Sequence, residues 1–567
     1  MLIVVVGDLL AHTSHHEDGR QTCQGRPLYT RGWLLVLSIG LPLVEALTLQ
    51  VVGTHPAQAL APQATAVAPF GVFHDLRWLL VFHPSWLAFG VELAGLIAVR
   101  TAITALLVRT AWPDEVSRPS PARLVGGSFV FTVVSAAVLA PFAAVLLGMA
   151  VVSLSWLFFV AVPSLVVVAA LLHHGAVVSS WWRERAPNGT IGWVLLSFLV
   201  LTLASGVIVL TPGPVRLLAV VATGLFNAWA WNGTVHALGC RQRSPRFVPL
   251  APVGIGVLMG VIAVGVSAGF SAATRDHALG PDDAPARARD GRPVLRVSGF
   301  GSEFDATEPD NRLVRRFSYA GLDTTGEPRP YEGDDTYQGI SRSVALMSDQ
   351  VEAFAEAVDR PITIVAESEG ALVAKTYLMS HDEAPVDMLV LLSPLVEPGG
   401  AYYPPAGQDG WGVAGGWGLR GIAAAVRVLT PLEVSTDDGL FRSLVDDAPA
   451  LRGLLACPVE GVEQLVLFSL ADAVAGAAPQ LDGLHSAVVP AFHGGLADDA
   501  GVQRAIDDTL AGDPPSGFAF WETAATVIGA GATAWRVPTL PLSINPAWEG
   551  ADDVADCDQI ADIFTTW

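Results

Sequence analysis

The stretch ITIVAESEGALVAKTYLM, Ile362 to Met379, passes from a β-branched apolar run, through a serine set between acidic residues, into a segment of helix formers. Ile362 to Ala366 read as a strand buried on both faces. The residues from Glu369 onward read as a helix, so the chain must turn sharply within Ala366-Glu367-Ser368-Glu369-Gly370. A serine at such a turn has its hydroxyl lifted clear at the end of a sheet, which is how a fold presents a nucleophile.

Short apolar runs alternate with helical periodicity on either side. VLRVSGF (294–300) and LVRRFSY (313–319) precede the stretch as strand candidates, and MLVLLS (388–393), QLVLFSL (464–470) and SAVVPAF (486–492) follow it. Met347, Val351, Phe354 and Val358 recur at steps of four, three and four, one face of a helix. Six strands with helices between them predict a mainly parallel α/β sheet. Sheets of that kind carry their sites at the carboxyl ends of the strands. The residues there are Ser298-Gly299-Phe300-Gly301-Ser302 after the first strand, Ser368 after the third, Asp472 after QLVLFSL and His493 after SAVVPAF.

The order serine, acid, histidine, each just past its expected strand, resembles the α/β-hydrolase superfamily over residues 294–512. The family's turn reads Gly-x-Ser-x-Gly; Ala366 stands here for the first glycine and adds only a methyl where the residue must be small. The resemblance implies Ser368 as nucleophile, His493 as the base that takes its proton, and Asp472 as the acid that orients the imidazole and stabilises it as a cation. It also implies an oxyanion hole built from the backbone N–H groups of Glu369 and Phe300, although Ser298-Gly299 stands where many relatives carry His-Gly. Glu397 is the rival acid, and a helix N-cap is the alternative role for Asp472. His485 is the rival histidine, disfavoured because it precedes its strand. No cofactor is implied, and His15-His16, His173-His174 and His236 have no metal-ligand spacing.

Residues 397–463 exceed by far the dozen or so that a simple crossover needs. They are rich in glycine and carry Tyr402, Tyr403, Trp411 and Trp417. Insertions at this position form lids in similar hydrolases, which makes these four rings candidates for substrate contact; packing inside the insertion is the alternative. An apolar lid implies a lipid-like or acyl ester substrate, and no basic cluster offers to bind a phosphate head group. The tail, GFAFWETAATVIGAGATAWRVPTLPLSINPAW (517–548), is expected to pack on the same domain.

The first half of the chain has another character. Composition is 51% hydrophobic and only 15% charged, outside the ordinary soluble range. Residues 1–270 hold 14 basic and 9 acidic residues, and the remainder hold 18 and 45, so a weakly basic half precedes a strongly acidic one. With no basic stripe to meet phosphates, nucleic acid is excluded as a partner. Seven apolar stretches are long enough to cross a bilayer: Trp33–Val52, Trp86–Val108, Leu124–Leu147, Val151–Leu172, Ile191–Thr211, Val215–Leu238 and Val248–Phe270. Alternate loops carry eleven arginines on one side against Arg77 and Arg216 on the other, which puts the N-terminus in the cytoplasm and everything after Phe270 outside.

The expected organisation is therefore a cytoplasmic tail (1–32), an all-α transmembrane bundle among membrane lipids (33–270), a linker (271–293) and an extracytoplasmic α/β domain (294–567). Glu45, Glu92 and Arg100 lie within spans, as functional groups or as buried polar contacts of the bundle. Cys457 and Cys557 fall outside, as a disulfide or as two free thiols. The activity that follows from the resemblance is ester cleavage through an acyl-enzyme. Acyl transfer by the same triad is a second version. A membrane sensor or transporter with a vestigial outer domain is a third, weakened by the scarcity of intramembrane charge and of internal repeats.

Overall fold

The structure is a computed structural model. It describes residues 32–114, 116–152, 188–239, 292–306, 312–381, 383–429, 435–470, 484–491, 493, 496, 499–510, 513, 515, 517–548, 551 and 556–565. The chain divides into two compact units.

The first unit comprises residues 1–146, 158–264 and 530–538. Its described helices are α1 (Gly32–Val51), α2 (Phe70–Val81), α3 (Trp86–Ala111), the greater part of α4 (Pro121–Val152), α5 (Asn188–Leu210) and α6 (Pro214–Gly239). Among the described residues four helices are long and apolar enough to cross a membrane: Gly32–Val51, Trp86–Ala111, Pro121–Val152 and Gly192–Leu210. A helix also forms over the sixth expected span, whereas most of the fourth and all of the seventh lie outside the described residues. The described helices bury small polar side chains together with apolar ones and leave large apolar side chains on the outside. Leu87 and Leu203 are 79% and 70% exposed, while Ser38, Thr132, Ser135, Ser197 and Asn227 are buried. Hydrocarbon solvates such a surface, and small polar residues let helices pack closely inside it.

The segment between α1 and α3 departs from expectation. It reads as an outer loop bearing Arg77, yet Gln58, Gln63, Thr65, His74 and Arg77 are all buried. It contains two short 3₁₀ turns (His55–Ala59 and Ala61–Thr65) followed by α2. Irregular backbone is tolerated at membrane depth only where its carbonyls find donors, and here the helices supply them. Arg100 Nη1 donates to Ala64 O (2.6 Å), Asn227 Nδ2 to Pro62 O (2.8 Å) and Trp231 Nε1 to Thr65 O (2.8 Å). Arg100 also clasps Asp75, Nε to Oδ2 at 2.7 Å and Nη2 to Oδ1 at 2.5 Å, and His74 Nε2 lies 3.0 Å from Glu45 Oε1. Glu45 and Arg100 are thus engaged in buried polar contacts within the bundle.

The tail expectation is corrected in part, because residues 530–538 belong to this helical unit. Trp535 is fully buried, packs on Phe198 and Phe70 (ring centroids 4.7 and 5.5 Å) and donates to Thr202 Oγ1 at 2.9 Å. Arg77 Nη1 bonds the carbonyls of Ala534 (2.9 Å) and Arg536 (2.7 Å). An indole N–H and a guanidinium buried together need acceptors, and this piece of backbone provides them.

The second unit comprises residues 147–157, 265–529 and 539–567. All six expected strands form: β1 (Val294–Val297), β2 (Val314–Arg316), β3 (Ile362–Glu367), β4 (Val386–Leu392), β5 (Glu463–Ser469) and β6 (His485–Val489). They make one parallel sheet in the order β2-β1-β3-β4-β5-β6. Between β2 and β3 runs α7 (Ile340–Val358), whose Met347, Val351 and Phe354 are buried as their spacing predicts. Helix α8 (Glu369–Ser380) follows β3 and is buried from Glu369 through Met379. Beyond β4 the insertion forms α9 (Val413–Leu429), α10 (Gly439–Asp446) and α11 (Ala448–Leu454). After β6 comes α12 (Ala500–Leu510), whose Val502, Ala505 and Ile506 join Val390, Leu465, Leu467 and Val489 in the core. The described chain ends with α13 (Ala519–Ala532), assigned to this unit up to residue 529, and α14 (Cys557–Thr565).

Cys457 and Cys557 are joined in a disulfide, with Cα atoms 5.5 Å apart. The bond pins the start of α14 beside α11, and Ile560 and Phe564 are buried beyond it. It closes a loop of 100 residues, long enough to restrict the unfolded chain strongly. Cys557→Ser is expected to lower unfolding stability by about 2–4 kcal/mol, read from denaturant midpoints of the full-length chain in detergent. An unchanged midpoint would show that the bond does not form.

Candidate active site

The sheet order reverses direction at β1. The chain steps from β1 outward to β2, then crosses back to place β3 on the other side, and such switch points open a crevice at the carboxyl ends of the two diverging strands. The loops leaving β1 and β3 meet there. A Cβ on Gly299 would lie 2.8 Å from Ser368 Cβ and 3.0 Å from Glu367 O, and a Cβ on Gly370 would lie 2.7 Å from Ser298 O. Only glycine fits at either point, so the two loops interlock, each through a glycine of its own.

Ser368 sits at the crossing with φ +56° and ψ −119°, a backbone conformation that residues with a Cβ avoid. Its N–H still reaches Leu392 O (2.9 Å), carrying the β3–β4 ladder one residue past the strand. His493, four residues beyond β6, brings Nε2 to 2.8 Å from Ser368 Oγ. A serine and a histidine 125 residues apart in sequence are therefore within hydrogen-bond distance at the switch point. His485 opens β6 at the opposite end of the sheet, and Glu397 is exposed. Asp472 lies outside the described residues.

Phe300 follows the interlocked glycine. Its ring stacks on Tyr337 at 4.6 Å and meets Phe441 of α10 edge-on at 5.9 Å, and it remains partly exposed. Tyr337 and Phe441 were not legible as site residues, because each stands alone in sequence and reaches Phe300 only through folding. The loop itself is braced by Gly301 N–H to Thr336 Oγ1 (2.9 Å) and by Tyr319 Oη donating to Ser298 O (2.8 Å).

The four rings of the insertion have separate fates. Tyr403 is buried between Arg420 and Arg442 and donates its hydroxyl to Thr436 O. Tyr402 meets Trp548 edge-on at 5.6 Å. Trp411 is half-buried, and Trp417 on α9 is 66% exposed. The two tyrosines thus pack within the second unit, while Trp417 presents its indole to the surroundings.

The electrostatics centre on Glu369, the first residue of α8. Its side chain is 1% exposed, and neither carboxyl oxygen has a hydrogen-bond partner among the described residues. The positive end of a helix favours an anion by about 0.3–1 kcal/mol, but an unpaired buried carboxylate costs several kcal/mol. Burial wins and holds the carboxyl well above the ordinary glutamate range. Burial, with the neighbouring Glu369, also raises the phenols of Tyr319 and Tyr331. Among the described residues no three His, Cys, Asp or Glu side chains converge where a metal ion could sit. No protein-family model, curated protein or solved structure matches the chain.

The positive φ of Ser368 is a strain of about 1–3 kcal/mol that glycine would relieve, less about 0.5–1 kcal/mol for its greater unfolded entropy. Ser368→Gly is therefore expected to unfold about 1 kcal/mol later than Ser368→Ala, since both lose the hydroxyl and only one loses the strain. Equal denaturant midpoints would remove the strain from the account.

Proposed function

We propose that the protein is a membrane-anchored serine hydrolase that cleaves carboxylic esters, an esterase or lipase of α/β-hydrolase type. The observation that carries this reading is the 2.8 Å approach of His493 Nε2 to Ser368 Oγ at the switch point of a parallel sheet. A serine hydroxyl is a weak nucleophile until a neutral imidazole takes its proton. His493 receives that proton as Ser368 Oγ bonds to the ester carbonyl carbon. The tetrahedral oxyanion is held by the backbone N–H groups of Glu369 and Phe300. The C–O bond to the alcohol then breaks, His493 returns the proton to the departing oxygen, and water releases the acid by the same steps in reverse. Asp472 is assigned to orient the imidazole and to stabilise it as a cation.

The stack of Phe300, Tyr337 and Phe441 beside the nucleophile supports an apolar acyl group as the part of the substrate that is recognised. With α9 and α10, the insertion is assigned as the lid, and exposed Trp417 as its lipid-facing ring. The disulfide and the arginine bias of the loops both favour placing this domain outside the cytoplasm.

Ser368→Ala and His493→Ala are each expected to lower hydrolysis of short-chain acyl esters by at least about 10³-fold. A fluorophosphonate probe should label the wild type at Ser368 and the Ser368→Ala chain not at all. Full turnover by Ser368→Ala, or a wild type that resists the probe, would end the proposal. On intact cells a membrane-impermeant version of the probe should label equally well; labelling only after lysis would place the domain in the cytoplasm.

A further inference from the structure

The hydrolase reading uses the backbone N–H of Glu369 and leaves its side chain without a task. That side chain is almost fully enclosed, next in sequence to the nucleophile, and both of its oxygens lack partners among the described residues. Its neighbours include two phenols. Tyr319, after β2, spends its hydroxyl on Ser298 O (2.8 Å), and Tyr331, in the loop before α7, shares a hydrogen bond with Ser302 Oγ (3.0 Å). The two phenol rings pack edge to face at 5.4 Å. Arg316 of β2 holds its guanidinium over the ring of Phe304 at 5.3 Å and forms no ion pair with Glu369 among the described residues. Glu367 and His493 flank Ser368, and Glu367 would add a second negative charge rather than cancel one.

We propose that the Glu369 side chain is a proton-holding gate on the nucleophile: neutral, it permits negative charge to form on the oxyanion beside its own N–H, and ionised, it opposes that charge. The inference rests on the hydrolase reading and deepens it. The carboxyl and the N–H that would hold the oxyanion belong to one residue, and two unit negative charges that close together, at an effective dielectric of about 20, repel strongly enough to slow the step by about 10²-fold. Burial with no partner on either oxygen among the described residues favours the neutral form and raises the carboxyl well above the ordinary glutamate range. The site therefore needs two opposite protonation states at once. His493 must have lost its proton to act as a base, and Glu369 must have kept its own. The reaction runs in the window between these two titrations, and its alkaline edge belongs to a residue outside the triad.

The test is the pH dependence of fluorophosphonate labelling at Ser368, measured on the full-length chain in detergent for wild type, Glu369→Gln and Glu369→Leu. In the wild type the rate constant should rise as His493 deprotonates and then fall by up to about 10²-fold on the alkaline side. Both neutral variants should lack the alkaline fall. The infrared spectrum at neutral pH gives a readout independent of reactivity: a protonated-carboxyl C=O stretch in the wild type that is absent from Glu369→Gln. Labelling with the same alkaline fall in all three chains overturns the gate and leaves the hydrolase intact. The lack of a protonated-carboxyl band overturns it as well. Failure to label Ser368 at any pH overturns the hydrolase reading, and the gate with it.

Discussion

The pairing of β1 with β3 sets the height at which two loops leave the sheet. Val294 lies opposite Thr363 and Val297 opposite Ala366, so both strands end at the same level and their following residues are driven into one space. Parallel strands reach such a register only through long crossovers, and here the chain passes through β2 and α7 before β3 is laid down. The collision is resolved by glycine on each side, Gly299 against Ser368 and Gly370 against Ser298. What remains at the crossing is a serine with nowhere to put its backbone except a strained positive φ. Its hydroxyl lies within reach of His493, 2.8 Å from Nε2. Removing the interlock would release the strain and the aim of the hydroxyl together.

A complementary rule governs the helical unit, where the limiting quantity is hydrogen-bond acceptors and donors rather than space. The two 3₁₀ turns of residues 55–65 satisfy only some of their own carbonyls, and the surrounding helices answer those of Pro62, Ala64 and Thr65 with Asn227, Arg100 and Trp231. The buried cations are met in turn: Arg100 by Asp75, Arg77 by the carbonyls of residues 534 and 536. A seven-helix count cannot register any of this, because hydropathy marks where a chain is apolar and not where a short polar segment folds back among the helices. The same limit explains the tail. Trp535 and its neighbours read as generic apolar packing, and their assignment to the helical unit depends on Arg77, more than 450 positions earlier.

The sheet was legible because each strand is a short run of β-branched and apolar residues bounded by turn formers, and parallel strands buried on both faces need no finer pattern. Helix α7 was legible for a similar reason: Met347, Val351 and Phe354 keep the helical period over a full face. The approach of His493 to Ser368 was legible because both follow strands of one parallel sheet, which brings the residues just past each strand to a common edge. The aromatic platform was not, since Tyr337 and Phe441 belong to elements with no periodic signal pointing at Phe300. Tyr402 and Tyr403 show how two readings of one ring stay open in sequence. Aromatic residues in a glycine-rich insertion draw attention as substrate contacts, but a large ring is first of all the means by which so loose a segment acquires a core.

Helix α8 carries two ionisable groups that burial drives toward neutrality, and they do not pair. Burial raises Glu369, at the first turn, well above the ordinary glutamate range; Lys375, the chain's only lysine, is pushed down to about 7 and bonds Cys457 O and Gln464 Oε1. Glu369, with its affinity for protons raised by folding, makes stability fall as pH climbs above the ordinary glutamate range. Lys375, with its affinity lowered, makes stability fall as pH drops from the ordinary lysine range toward 7. Near neutral pH both penalties act on one helix, and apolar burial from Ala371 to Met379 must offset them. Their positions differ in consequence. Because α8 runs back against the direction of the strands, Glu369 lies at the carboxyl edge beside Ser368, and Lys375 lies over the start of β5, where Gln464 stands. At the start of β5 the amine ties the strand to the disulfide turn; at the carboxyl edge the acid stands without a partner among the described residues, next to the point where Ser368 meets His493. The same burial acts at two points of one helix, and among the described residues only one of them supplies the buried group with hydrogen-bond partners.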